Sequence, residues 1–207
     1  MAMSLDGYTA GPDQSVDNPM GVDGMRLHQW VFPLEAWRKH MGMEGGIVNA
    51  SSQVVEGAVE GIGATIMGRN MFGGYPGPWD ADAPWRGWWG ENPPFHQPVF
   101  VVTHHPREPL VMQGGTTFHF VTNGIESALE QARDAAKGAN VLLGGGANTA
   151  RQYLKAGLVD EIVLSLAPVL LGRGERLFED LDADLHGLDL AETIPAPGVV
   201  HLLFSRP

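Results

Sequence analysis

A run of three glycines is the segment whose residue types point most directly to a ligand. Gly144 to Gly146 separate an apolar stretch from a helical pattern. Glycine lets a backbone approach a ligand closely, and the helix that follows presents unpaired N–H groups and a positive dipole to an anion. The run therefore predicts a pyrophosphate-binding turn. The alternative is a tight strand-to-helix turn that binds nothing.

This glycine turn differs from two common nucleotide motifs. A Walker loop needs Gly-Lys-Ser/Thr, which does not follow the glycines. A Rossmann fingerprint needs a further glycine where this sequence has Thr149, and it normally occupies the first strand-to-helix turn of its domain. The order of the motifs thus argues against a Rossmann-type reductase.

Two more predicted strand ends carry residues suited to a nucleotide. Gly68 and Arg69 follow one apolar run, and a guanidinium at that place can pair with a phosphate. An exposed arginine at a helix start is the alternative. Thr103 and His104 follow another apolar run and suit a ribose phosphate. Because ligands of open α/β sheets lie outside the carboxyl ends of the strands, the three strand ends together predict a dinucleotide site.

The histidines and the lack of cysteine give no metal site. His104 and His105 are neighbours on a predicted strand end, so they point to opposite faces, and the other histidines lack metal-binding spacing. With no cysteine, the chain has no disulfide, no cysteine-based zinc site and no thiol nucleophile.

Composition restricts the class of partner. The 207 residues are 43% hydrophobic, which indicates a globular core, and carry a net charge of −11. Phosphate backbones and anionic membrane surfaces repel such a chain. No stretch reaches the ~20 apolar residues of a membrane span, and the N-terminal segment does not resemble a signal peptide. We therefore expect a cytoplasmic protein with a small-molecule ligand and neither a nucleic-acid nor a membrane partner.

The elements that would position these residues alternate between strands and helices. This order predicts an α/β fold with a largely parallel central sheet flanked by helices, in one domain over residues 1–207. The last two strands have no helix between them, which predicts an antiparallel C-terminal hairpin at one edge. Strands are predicted at 2–5, 8–10, 64–67, 99–103, 118–122, 140–143, 161–166 and 199–204. Helices are predicted at 26–41 with a break near Pro33, at 49–60, 125–137 and 148–156, and a short one after Gly68.

A long irregular segment, residues 75–98, combines six prolines with four tryptophans. Proline prevents regular structure, whereas tryptophan argues against disorder, so we expect a packed flap. Trp79 and Trp85 of the flap, together with Trp30, can stack on a flat heterocycle. Packing within the protein is the alternative for each of them.

Several motifs, in order, resemble the dihydrofolate-reductase-like superfamily, in particular the C-terminal reductase domain of the bifunctional riboflavin-biosynthesis deaminase/reductase. They cover nearly the whole chain. The matching segments are residues 3–8 (Met-Ser-Leu-Asp-Gly-Tyr), 67–72 (Met-Gly-Arg-Asn-Met-Phe), 143–148 (Leu-Gly-Gly-Gly-Ala-Asn), 158–162 (Leu-Val-Asp-Glu-Ile) and 168–174 (Pro-Val-Leu-Leu-Gly-Arg-Gly). No cytidine-deaminase-type zinc motif is present, so the resemblance concerns the reductase half.

The resemblance implies NADPH as the cofactor. Thr103 and His104 would lie near the adenosine ribose and its 2′-phosphate, and Ala2, Thr9 and Ala10 would lie beside the nicotinamide. The resemblance also implies a homodimer that pairs through sheet edges. The residues that would hold the pyrophosphate are Gly68, Arg69, Asn70, Met71, Gly144, Gly145, Gly146, Ala147, Asn148 and Thr149.

Hydride transfer to a heterocycle also needs a proton source near the acceptor. Asp6 is a candidate acid or orienting group, although Asp-Gly is also a common turn whose carboxylate caps the backbone. His28 is a second candidate donor, with a merely structural histidine as the alternative. The predicted substrate is a pterin, a pyrimidine or a flavin-like ring. The rival hypothesis is a non-catalytic protein that binds NADP(H) or another nucleotide on the same fold.

Overall fold

The structure is a computed structural model that describes residues 1–82, 84–181, 185 and 187–207. Its backbone contacts divide the chain into two compact units. Unit 1 comprises Met1–Gln14, Met20–Glu60 and Ala150–Pro207, and unit 2 comprises Ser15–Pro19 and Gly61–Thr149. The single domain expected over residues 1–207 stays a prediction.

The strands and helices follow the expected alternation. The strands are β1 (Ala2–Ser4), β2 (Tyr8–Ala10), β3 (Ile62–Gly68), β4 (Pro98–Val102), β5 (Leu110–Val111), β6 (Thr117–Val121), β7 (Asn140–Gly145), β8 (Glu161–Ala167), β9 (Glu175–Arg176), β10 (Asp189–Ala196) and β11 (Val199–Ser205). The helices are α1 (Glu35–His40), α2 (Ala50–Gly57), α3 (Arg69–Phe72), α4 (Gly124–Ala136) and α5 (Ala147–Lys155), with short 3-10 helices at Gly24–His28 and Gln113–Gly115. None of the helices described is long and apolar enough to cross a membrane.

Unit 2 is built on a sheet in the order β5-β6-β4-β3-β7. All neighbours are parallel except β5, which pairs antiparallel with β6 at the edge. The apolar runs in β3 and β4 are buried, as expected for parallel strands covered on both faces. Helix α4 packs on β3 and β4 through Ala128, Ala132 and Ala136. Its approach is close, since a methyl group at Gly63 would lie 2.8 Å from Cα of Ala136.

Unit 1 contains a sheet in the order β1-β8-β11-β10. Strands β1 and β8 are parallel, and β8 and β11 are antiparallel, as expected for the last two predicted strands. The tight hairpin, however, joins β11 to β10, a strand that the sequence did not predict. Strand β10 lies at the sheet edge with mostly exposed side chains, so it lacks the apolar alternation that marks a half-buried strand.

The helices of unit 1 follow their local sequence signals. Asn49 caps α2 by accepting a hydrogen bond from the backbone N–H of Ser51 at 2.8 Å, and Ser52 completes a capping box. The predicted helix 26–41 is interrupted near Pro33 as expected. Its first part is the 3-10 helix ending at His28, and its second part is α1.

Candidate functional site

Three predicted ligand-binding strand ends lie side by side in unit 2. In the ladder, Gly68 of β3 pairs with Val102 of β4, and Met67 of β3 pairs with Gly145 of β7. The carboxyl ends of these parallel strands therefore meet at one edge of the sheet. Each of the two glycine-bearing ends leads directly into a helix, α3 or α5. The edge thus offers the N-terminus of α5 to an anion, whereas α3 is a single turn of four residues.

The glycines of this edge serve different purposes. A methyl group at Gly68 would overlap Oγ1 of buried Thr149 and lie 3.2 Å from its Cβ, so Gly68 lets the start of α5 pack against β3. A methyl group at Gly146 would meet no atom within 4 Å. Gly145, joined to Gly146 by a cis peptide bond, has a φ of 121°. Within the glycine run, open space thus lies beside Gly146, whereas a methyl group at Gly144 would lie 3.3 Å from Cε of Met71.

Arg69 contacts protein groups instead of extending freely from the edge. Its guanidinium donates hydrogen bonds to the carbonyl oxygens of Gly73 and, at 2.8 Å, Tyr75, and it stacks on Trp79 at 3.7 Å. Burial and the neighbouring Arg107 lower the pKa of Arg69. The side chain holds the flap, which accounts for it without a phosphate. The predicted phosphate contact of Arg69 stays a prediction.

Thr103 and His104 follow β4 at the same edge. Thr103 is buried, and its hydroxyl accepts a hydrogen bond from the backbone N–H of His105 at 3.2 Å. His104 is exposed and leaves its imidazole available to a ligand. Of the two, His104 is thus the one whose side chain can reach an anion in solvent.

The tryptophan-rich flap is fixed to the segments that form this edge. Trp88 and Trp85 donate through Nε1 to the carbonyl oxygens of Met71 and Phe72, at 3.0 and 2.8 Å. Trp79 donates to the carbonyl of His105 at 2.9 Å. The packed flap is therefore confirmed. Trp79 and Trp85 are partly buried and pack against the apolar cluster of unit 2, and their N–H groups bond protein carbonyls; the substrate-stacking role expected for them stays a prediction.

Asp6, in unit 1, orients a loop. Its carboxylate accepts backbone N–H bonds from Leu171 at 3.1 Å and Gly172 at 2.7 Å. A hydrogen bond from the Ser4 side chain, followed by these two, lowers the pKa of Asp6 to about 2. A group ionised at neutral pH cannot donate a proton, so of its two expected roles the structure favours the orienting one.

The other residues predicted beside the nicotinamide also lie in unit 1. Ala2 is part of β1, and Thr9 and Ala10 are part of β2. Strand β9, which the sequence did not predict, pairs with β2, and the Thr9 hydroxyl donates to the carbonyl of Glu175 at 3.2 Å. The role of these residues beside a nicotinamide stays a prediction.

His28 and Trp30 lie in and just after the 3-10 helix of unit 1. His28 Nδ1 is buried and has no hydrogen-bond partner among the described residues, and burial lowers the pKa of this histidine. A proton-donor role is thereby disfavoured at neutral pH. Trp30 lines a cleft of about 410 Å³ within the same unit, and its contact with a substrate ring stays a prediction.

A buried histidine behind Trp30 is absent from the sequence predictions. His201 on β11 bonds Ser51 Oγ through Nε2 at 2.8 Å and Ser165 Oγ through Nδ1 at 3.0 Å. Its ring meets Trp30 edge-on, with centroids 4.9 Å apart. Its partners are 150 and 36 residues away in the chain, so no local signal identifies the network.

The chain was then compared with known proteins. A family model described as RibD C-terminal domain matches residues 1–197. Among curated proteins, the uncharacterized protein YwjB of Bacillus subtilis is 38% identical over 62 residues, which are 30% of this chain and 35% of that protein. The match thus spans about a third of that relative's length.

Solved structures resemble the chain over its whole length. A Shewanella sp. PV-4 protein, described in connection with riboflavin biosynthesis, is 24% identical with a TM-score of 0.61 over 100% of this chain and 96% of that one. RibD of Acinetobacter baumannii is 19% identical with a TM-score of 0.56, and this chain covers 56% of it. A Thermotoga maritima diaminohydroxyphosphoribosylaminopyrimidine deaminase/5-amino-6-(5-phosphoribosylamino)uracil reductase is 14% identical with a TM-score of 0.54, and this chain covers 55% of it. These likenesses confirm the mixed α/β, dihydrofolate-reductase-like fold.

Proposed function

The chain belongs to the RibD C-terminal domain family, and from this membership we propose that it is an NADPH-dependent reductase of a small heterocyclic molecule. Reduction of a pterin, a pyrimidine or a flavin-like ring is the reaction class. The observation that carries the proposal is the edge of unit 2, where two glycine-bearing strand ends and the end of β4 adjoin.

The residues at this edge fit a dinucleotide. A pyrophosphate needs close backbone approach and N–H groups, and the open space beside Gly146 and the first turn of α5 supply both. His104 is the side chain we assign to the 2′-phosphate, since it is exposed at the end of β4. Thr103 holds the backbone at His105 and so positions this segment.

When bound, NADPH supplies a hydride to the acceptor ring. The protein's part is to hold the ring and exclude competing reactions. Because Asp6 is ionised and burial keeps His28 neutral, we assign the proton to solvent and give Asp6 the task of fixing the loop at Leu171 and Gly172. We further propose that the protein is a cytoplasmic homodimer. Light scattering tests the dimer, and cell fractionation tests the location.

Titration with NADPH and NADH, followed by tryptophan fluorescence, tests the cofactor. Trp85 and Trp88 bond the backbone of α3, so a ligand at this edge should change their emission. We expect saturable binding that is tighter for NADPH. Replacement of His104 by alanine should weaken NADPH binding and leave NADH binding unchanged.

A matched pair of variants separates electrostatics from packing. Gly146→Asp and Gly146→Asn add side chains of equal size into the same open space, but only the first adds a negative charge. A charge about 6 Å from a pyrophosphate costs about 3 kcal/mol at an effective dielectric of 20, so NADPH should bind Gly146→Asp about 100-fold more weakly than Gly146→Asn. Equal affinities would contradict the assigned pyrophosphate position.

Saturable NADPH binding with no reduction of any pterin, pyrimidine or flavin would favour the non-catalytic alternative.

A further inference from the structure

The cleft in unit 1 is a candidate ligand site built within one unit. Its volume of about 410 Å³ suits one small molecule. Its apolar walls include Trp30 and Pro33, Ile47 before α2, and Val169 after β8. A flat ring in the cleft can therefore lie against the indole of Trp30, with its other side towards solvent.

The indole wall is held from behind. Trp30 contacts His201, which is fully buried and bonded at both ring nitrogens to Ser51 and Ser165. Ser51 belongs to α2, and Ser165 and His201 lie on the neighbouring strands β8 and β11. A wall backed by fixed side chains loses little conformational entropy when a ligand binds, which favours stacking.

The polar residues of the cleft donate hydrogen bonds. Arg26 forms no ion pair with any residue that the structure describes. The side-chain oxygen of Asn49 accepts the N–H of Ser51, which leaves its amide nitrogen as a donor. The amide nitrogen of Gln29 donates one N–H to the carbonyl oxygen of Met25 at 3.4 Å, which leaves its second N–H. None of the described lining residues is acidic, although the whole chain has a net charge of −11. The cleft is thus locally suited to an anion.

We infer that this cleft binds a flat ring that carries one carboxylate. A guanidinium matches a carboxylate with two parallel hydrogen bonds, and the cleft has a single cationic residue, Arg26, among its described lining residues. A carboxylate carries a single negative charge, which equals the charge of Arg26 in magnitude, whereas a phosphate monoester carries a charge near −2. Binding to the cleft needs no NADPH, so the inference does not rest on the proposed function.

Matched probes test this inference by calorimetry on the full chain without NADPH. Orotate is compared with uracil, and benzoate with benzamide and phenyl phosphate. We expect each carboxylate to bind at least about tenfold more tightly than its neutral partner, and benzoate to bind more tightly than phenyl phosphate. Arg26→Gln should remove the preference for the carboxylates, whereas Trp30→Leu should weaken charged and neutral rings alike.

The control is Arg173→Gln, which removes an exposed arginine of the same unit that is not among the cleft residues. It should leave every affinity unchanged. No binding of either carboxylate, equal binding of the neutral rings, or full binding by Arg26→Gln would overturn the inference. Tighter binding of phenyl phosphate would make the cleft a phosphate site instead. NADPH titration is a separate measurement, so the cofactor proposal and this inference can fail independently.

Discussion

Gly68→Ala is the sharpest test of how unit 2 is packed. The substitution adds one methyl group at the point where β3 ends. Gly68 has a φ of −81°, which alanine adopts freely, so backbone strain does not contribute. The added methyl group would overlap Oγ1 of Thr149. The whole expected effect is therefore a steric one.

The magnitude follows from the distances. Rotation of the Thr149 side chain can move its hydroxyl, but Cβ of Thr149 still lies 3.2 Å from the new methyl carbon. That separation is shorter than the ~3.5–4.0 Å optimum for two carbon atoms, so the start of α5 must shift. Overpacking of this kind costs about 2 kcal/mol in the free energy of unfolding.

Urea unfolding of a double-mutant cycle measures this cost. Thr149→Ala removes the hydroxyl and one methyl group, at a cost of about 1 kcal/mol. Combined with Gly68→Ala, it should recover about 1 kcal/mol relative to the sum of the single effects, because it removes the overlap with Oγ1 but keeps the close contact with Cβ. Gly57→Ala, in open space at the end of α2, is the matched control and should raise stability by about 0.5 kcal/mol. Additive single effects, or a Gly68→Ala protein as stable as wild type, would refute the packing argument.

Three further results are expected. Asp6→Asn should lower the unfolding temperature at pH 7, since the substitution replaces one carboxylate oxygen that accepts a backbone N–H with an amide group that donates. Folding lowers the pKa of Asp6 from 3.8 to about 2, so the stability that the ionised carboxylate adds is present above pH 4 and should be lost as the pH falls towards 2 in an acid titration. Burial lowers the pKa of His201, so the unfolded chain binds a proton more readily, and the free energy of unfolding should decline as the pH falls below about 6.5. His201→Asn should flatten this decline in calorimetric scans at pH 7.5 and 5.5, and an unchanged decline would contradict the argument. Trp30→Phe should cost less than about 1 kcal/mol in urea unfolding, because the buried Nε1 of Trp30 has no hydrogen-bond partner among the described residues; a cost near 3 kcal/mol would show that the indole N–H is satisfied.

The parallel part of the fold could be predicted because its strands carry their own signal. Strands β3 and β4 are continuous apolar runs, and parallel strands buried on both faces require such runs. Helix α4 shows its buried face as alanines four residues apart. Asn49 marks the start of α2 by its capping chemistry.

Elements stabilised by pairing alone could not be predicted. Strand β10 is mostly exposed and contains Pro195, and β9 has two residues, so each depends on its neighbour in the sheet. Patterns of apolar residues do not report such strands.

The candidate site was predictable in its backbone and less so in its side chains. The glycines at the ends of β3 and β7 belong to strands that are neighbours in the sheet, as expected, and their binding of a dinucleotide stays a prediction. The direction of the Arg69 side chain depends on Trp79 and on carbonyl groups in the flap, and the setting of Trp30 depends on His201. These are tertiary contacts, which residue spacing does not encode.

The indole anchors of the flap also bear on proteolysis. A proline-rich segment without regular structure is normally where a protease first cuts a folded protein. Here three indole N–H bonds tie the flap to Met71, Phe72 and His105. Cleavage near Arg86 therefore requires these anchors to open first, so the rate of tryptic nicking measures how often this edge of the sheet comes apart. A ligand that binds this edge of the sheet would therefore slow tryptic cleavage near Arg86, at a peptide bond that the ligand does not contact.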